Sequence, residues 1–248
     1  MVKRLLYLFM FITTLAGAAE NKNILIYTRN YTPDGKGYVH DNIQTSVEAI
    51  KQIGAENGFT ADATDDPKVF SGDNLKQYKV LVFSSSNNEA FENDAQREVF
   101  RKYIQSGGGY VGIHSATGSE RNWPYYQAAA GGKFTRHPKL QPFTVAVKDA
   151  THPATKGLPA TFEWEDECYY HENLNPDIHV LITADPTKLI DPGKPRYPGS
   201  AIPLAWYHTY DGGREVYIAL GHKKEHYANP ILRKLIKGAI LWAAHESE

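Results

Sequence analysis

Gly107-Gly108-Gly109-Tyr110-Val111-Gly112-Ile113-His114 is the stretch that decides the fold. The glycines break whatever precedes them, a short apolar run follows, and a histidine stands where the run stops. A brief continuous apolar run bounded by glycine is the pattern of a parallel strand covered on both faces. Upstream, Val80-Leu81-Val82-Phe83 repeats the pattern and ends in Ser84-Ser85-Ser86-Asn87. Between the two runs, Asn93 can cap a helix whose Val99, Phe100, Tyr103 and Ile104 form one stripe. Further upstream, Ile24-Leu25-Ile26-Tyr27 reads as another strand. Ile43, Val47, Ile50 and Ile53 then fall at helical spacing over 42–57, with Gly58 at the C-terminal end. Parallel strands need helical crossovers, so this order predicts a doubly wound α/β sheet of the flavodoxin-like kind. Downstream the pattern turns to alternation at 143–147, 162–169 and 180–183. The segments 202–207 and 215–220 flank the hairpin signature Asp211-Gly212-Gly213, and a final helix is expected from about Pro230 to Ala244. The reading is one α/β domain over 20–248 with a β-rich insertion in its second half.

The chain has 248 residues, 42% of them hydrophobic, which is enough for a sizeable core. Lys plus Arg number 27 against 28 Asp plus Glu, so no positive excess exists to bind phosphates and a nucleic-acid partner is not expected. Met1-Val2-Lys3-Arg4 followed by the apolar stretch Leu5–Leu15 and Ala16-Gly17-Ala18 has the form of a cleaved secretory signal over 1–19. It is short of the roughly 20 residues that span a bilayer. The mature protein is therefore expected in the periplasm or secreted, without a membrane partner. Cys168 is the single cysteine, which excludes an intramolecular disulfide and a thiolate-built zinc site.

Open α/β sheets bind ligands outside the C-terminal ends of their strands. His40 follows the first strand, His114 the third and His222 the last, so paired imidazoles at 114 and 222 are expected to face one wet cleft. Gly112-Ile113-His114-Ser115-Ala116 has the outline of a nucleophile elbow with histidine at the middle position, which leaves the turn and removes the acyl-enzyme nucleophile. His222-Lys223-Lys224-Glu225-His226 matches H-x-x-E-H but follows a strand, and that metalloprotease chemistry needs a helix; the match is read as coincidence. Phe162 to Tyr169 interleaves four carboxylates with apolar residues. It is either a charged edge strand or a segment delivering Glu167 or Asp166 to the crevice.

These landmarks resemble the ThuA-like family, named for trehalose utilisation. The set comprises Gly107–His114, the Gly132–Pro138 loop with Arg136 and His137, His152-Pro153 with Gly157-Leu158-Pro159, Asp166–Tyr169, Pro203–Trp206, and Gly221-His222 leading to Asn229-Pro230. In order, they cover nearly the whole mature chain. The resemblance implies a class I glutamine amidotransferase-like fold in which His114 replaces the amidotransferase cysteine, and a carbohydrate as partner. It implies a hydrolase or lyase acting on a disaccharide or keto-glycoside, the alternative being a non-catalytic sugar-binding accessory module. His114, His222 and Glu167 are then the expected catalytic residues, and His40, Arg136, His137, Tyr169 and Trp206 the expected ligand contacts. A divalent metal such as zinc would suit such His and carboxylate ligands and would polarise a sugar carbonyl.

Overall fold

The computed structural model describes residues 23–193 and 196–246. The signal expected at 1–19 lies outside them. The parallel half begins with β1 (Asn23–Tyr27), β2 (Asn30–Tyr31), α1 (Ile43–Glu56), β3 (Thr60–Thr64), α2 (Gly72–Leu75) and β4 (Tyr78–Ser84). It continues with β5 (Asn87–Asn88), α3 (Asp94–Gln105), β6 (Gly109–Ile113) and α4 (Pro124–Ala130). Then come β7 (Lys133–Arg136), β8 (Gln141–Val147), β9 (Thr161–Asp166), β10 (Tyr170–Glu172), β11 (His179–Ala184), β12 (Ile202–Tyr210), β13 (Gly213–Ile218) and α5 (Pro230–Ala243).

Among the described residues one sheet dominates, in the order β3-β1-β4-β6-β13-β12-β11-β8-β9. The first five strands pair in parallel. In chain order they run 2-1-3-4-5, the flavodoxin-like arrangement with its switch point between β1 and β4. The remaining four pair antiparallel. The expected β-rich insertion is thus a continuation of the same sheet. Burial separates the halves: β6 is buried throughout, whereas β9 alternates exposed and buried residues, one face toward solvent.

Helices cover both faces of the parallel half. On one, the side of Ile24, Gly54 of α1 packs close enough that an added Cβ would sit 3.4 Å from the Ile24 side chain. On the other, Tyr27, Phe83, Phe100, Tyr110 and Tyr126 pack ring against ring, with Phe83 at 5.0 Å from Tyr27 and 5.3 Å from Tyr110. A fully buried ring of this kind stabilises the fold by roughly 1.5–3 kcal/mol. Asn93 caps α3 by accepting from the Gln96 amide at 3.1 Å, and Asn229 caps α5 at Ile231 with Pro230 in the first turn. At the hairpin, Asp211 and Gly212 both take positive φ, 49° and 104°, which makes the Asp-Gly pair the natural occupant. Among the described residues no helix is long and apolar enough to cross a membrane.

His152, 5% exposed, stacks on Tyr207 at 4.3 Å and accepts from the Ala154 amide, and burial pulls its pKa down to about 4. The unfolded ring takes up a proton below about pH 6.5 while the folded ring does not. Its contribution to stability is therefore complete above that pH and lost as pH falls toward 4, by up to about 1.4 kcal/mol per pH unit. Urea midpoints at pH 7 and pH 5 should fall further for the wild type than for His152→Gln; equal losses would contradict this assignment.

Candidate metal centre

The parallel strands end at one edge of the sheet, and the site assembles there from four separate segments. His114 follows β6 directly and opens a 3-10 turn, His114–Gly118. Its φ is 53°, a left-handed conformation uncommon for a non-glycine residue, so the elbow predicted from the sequence is present with imidazole at its apex. The His114 Nδ1 lies 2.9 Å from the Ala219 carbonyl, just past β13. A carbonyl only accepts, so Nδ1 carries the proton and Nε2 is left with its lone pair.

Everything else in the site converges on that lone pair. The His40 Nε2 stands 3.0 Å from it, the Tyr169 hydroxyl 3.0 Å, the His222 Nδ1 3.4 Å and the Glu167 Oε2 3.8 Å. Glu167 Oε2 is also 3.3 Å from His222 Nδ1. One ligand atom from each of His40, His114, Glu167 and His222 falls within 4.8 Å of all the others. These four side chains could hold a metal ion. Three imidazole nitrogens and a carboxylate oxygen form a donor set suited to zinc or a similar divalent ion. Each ring is also aimed from behind, His114 by Ala219 and His40 by Ser115, whose Oγ lies 3.3 Å from Nδ1.

Burial keeps the inner imidazoles neutral, the state in which they can act as ligands. It pulls the His40 pKa down to about 2, helped by the neighbouring His114 and His222 rings. It pulls His114 down to about 3 against the opposing pull of the Ala219 carbonyl. His114 is fully buried, contrary to the expectation of two rings in a wet cleft. The contact with solvent is made by the rim, where the His222 side chain is 20% exposed, Glu167 15% and His137 32%.

Asp166, fully buried at the end of β9, sets the rim. It accepts from the Trp164 indole at 3.0 Å, from the Glu167 amide at 2.8 Å and from the Gly221 amide at 2.9 Å. Both readings of the acidic stretch hold in part. Glu163 and Glu165 face solvent on an edge strand, while Asp166 clamps the turn that swings Glu167 inward. On the opposite side, Asn42 at the start of α1 donates to the Gly221 and His222 carbonyls at 2.6 and 2.9 Å. Gly221 takes φ 130°, and a Cβ there would meet the Tyr227 hydroxyl at 3.0 Å. Gly221→Ala should therefore cost more than about 1 kcal/mol and displace His222. Thermal unfolding checks this, and wild-type stability would contradict it.

The expected ligand contacts divide. His40 joins the cluster, Tyr169 contributes its hydroxyl, and His137 stands at the rim with Nε2 3.6 Å from Glu167 Oε1. Trp206 is not a sugar platform: it is fully buried, with its indole donating to the Ala130 carbonyl. Arg136 is not brought to the cluster either. Its guanidinium forms a two-pronged pair with Asp191 at 2.9 and 2.7 Å and lies over Tyr170. The H-x-x-E-H segment forms a 3-10 turn, and His226 packs on Trp164 beside Asp166, away from the ligand set. Cys168 is buried, its thiol pKa pushed up by that burial.

Residues 23–243 match the family model ThuA, described as trehalose utilisation. A structure described as a ThuA-like protein from Bacteroides uniformis is 26% identical, with a TM-score of 0.73 over 93% of this chain and 95% of that one. Another so described, from Parabacteroides merdae, is 21% identical with a TM-score of 0.71 over 91% and 90%. A GMP synthase component from Thermoplasma acidophilum shares the fold more distantly, at 14% identity and a TM-score of 0.50 over 88% and 95%. No functionally curated protein matches the chain. The chain belongs to the ThuA family and has its glutamine amidotransferase-like fold, which ties it to carbohydrate utilisation.

Proposed function

We propose that the protein is a carbohydrate-processing enzyme, a hydrolase or lyase acting outside the cytoplasm on a disaccharide or keto-glycoside. The observation that carries this reading is the convergence of His40, His114, His222 and Glu167 from four segments onto one point. A divalent cation held there would polarise a sugar oxygen. The protein's own residues supply the proton chemistry. Glu167 directs Oε2 toward the imidazoles and Oε1 toward His137. His137 places Nδ1 2.8 Å from the Pro138 carbonyl, so its Nε2 faces Glu167 as a lone pair able to receive a proton. A carbonyl in a keto-sugar acidifies the neighbouring C–H, and removal of that proton by Glu167 expels the glycosidic oxygen. The apolar walls of Phe134 and Tyr169, with rings 4.4 Å apart, limit water at the site.

Incubating the purified protein with trehalose and with its 3-keto derivative, read by mass spectrometry, tests the reading. Cleavage of one of them that is lost in the Glu167→Gln variant is the expected outcome. Intact sugars after prolonged incubation with metal-loaded protein would overturn it.

A further inference from the structure

A second cavity opens on the same edge of the sheet, at the switch point. Beyond the ends of β1 and β4 the chain continues as the short pair β2–β5. A cavity of about 250 Å³ there is lined by Thr32, Asn88, Glu89, Glu120, Arg121 and Asn122. Switch points are where open α/β sheets take their ligands.

Two segments join this cavity to the His–Glu cluster. The loop that begins at Thr32 ends at His40, and the turn that begins at His114 runs on to Arg121. Gly118 in that turn sits so close that an added Cβ would fall 2.6 Å from Asn87 Oδ1 and 3.1 Å from Arg121 Nη2. Phe134 bridges the two places as well. Its ring lies 5.7 Å from the Arg121 guanidinium on one side and 4.4 Å from Tyr169 on the other.

Arg121 is half-buried, and among the described residues no carboxylate forms an ion pair with it; burial lowers its pKa. A guanidinium taken partly out of water without a counter-charge costs stability, and a ligand oxygen is what would offset it. The Nη2 donates to Asn87 Oδ1 at 3.0 Å, and Nε is sealed from solvent with no partner. Only Nη1 remains, so the planar fork that grips carboxylates and phosphates two-pronged is not on offer. Beside it stands Glu89, exposed, with a carboxylate that accepts, while Glu120 is committed to Arg97 at 2.8 Å. One charged donor next to a carboxylate acceptor disfavours an anion and matches sugar hydroxyls, each of which donates and accepts.

We propose that this crevice is a second sugar subsite, holding the neutral ring of a disaccharide whose other ring meets the His–Glu cluster, with Arg121 Nη1 as its principal donor. The proposal rests on the carbohydrate reading above and adds the length of the substrate. The test is calorimetric titration of the full folded protein with trehalose and with glucose. Wild type should bind trehalose at least about tenfold tighter than glucose. Arg121→Ala, and separately Asn122→Trp, which fills the cavity from its exposed rim, should bring trehalose down to the affinity of glucose; Arg121→Lys should recover part of the difference. If both variants keep the trehalose advantage, the subsite is refuted and the carbohydrate reading stands. If neither sugar binds the wild type, both fall.

Discussion

Glu167→Gln is expected to lower turnover by about 10²–10⁴-fold, the usual worth of a positioned general base. The amide keeps the shape of the side chain and one accepting oxygen but cannot take a proton. Its carboxylate is the sole acidic member of the cluster, 3.3 Å from His222 Nδ1 and 3.6 Å from His137 Nε2. The side chain is only partly buried, so the melting temperature should move little. Steady-state kinetics with the cleaved sugar checks this. A variant retaining more than about a tenth of wild-type kcat would remove Glu167 from the chemistry.

Asp166→Ala should produce the largest loss of stability of any single change at the site. It leaves three donors without an acceptor: the Trp164 indole, the Glu167 amide and the Gly221 amide. Each abandoned buried donor costs about 1–3 kcal/mol. Because the three share one partner they will not add fully, and a total of roughly 3–6 kcal/mol is expected. That is a large share of the roughly 5–15 kcal/mol typical of a domain. The same change frees the backbone on both sides of the site, so activity should fall beyond what partial unfolding explains. Chemical denaturation at neutral pH measures it. An Asp166→Ala protein within about 1 kcal/mol of wild type would show that the clamp carries no weight.

The parallel half was legible because both faces of its strands are covered. Strands such as Val80–Phe83 must then be apolar at every position, a pattern that survives in one dimension. β3 gave no such signal: Thr60-Ala61-Asp62-Ala63-Thr64 lies at the sheet edge, largely open to solvent, and is held by backbone pairing to β1. α4 was missed for a related reason, since Pro124-Tyr125-Tyr126 reads as a turn before it reads as a helix start. His114 and His222 could be found because strand ends in this fold open onto one edge. Their partner His40 was seen as a ligand contact without its place in the cluster, since the loop after β1 sets its position. Asn42 carried no signal at all: an asparagine at the start of a helix looks like a cap, yet its side chain makes no cap bond and reaches instead to the Gly221 and His222 carbonyls. Trp206 misled for the opposite reason, because composition cannot say whether an aromatic side chain stacks on a ligand or fills a core. Arg121 drew no notice, since the absence of a carboxylate partner is a property of three dimensions.

Metal content decides the central claim. Protein purified without chelators, or apo-protein dialysed against zinc, manganese, iron, cobalt and nickel in turn, should carry one ion per chain by plasma mass spectrometry. His222→Ala and Glu167→Ala should carry little under the same conditions. A folded wild type that takes up none of these ions, or variants that bind as much as it does, would mean that the three imidazoles and the carboxylate meet for some other purpose.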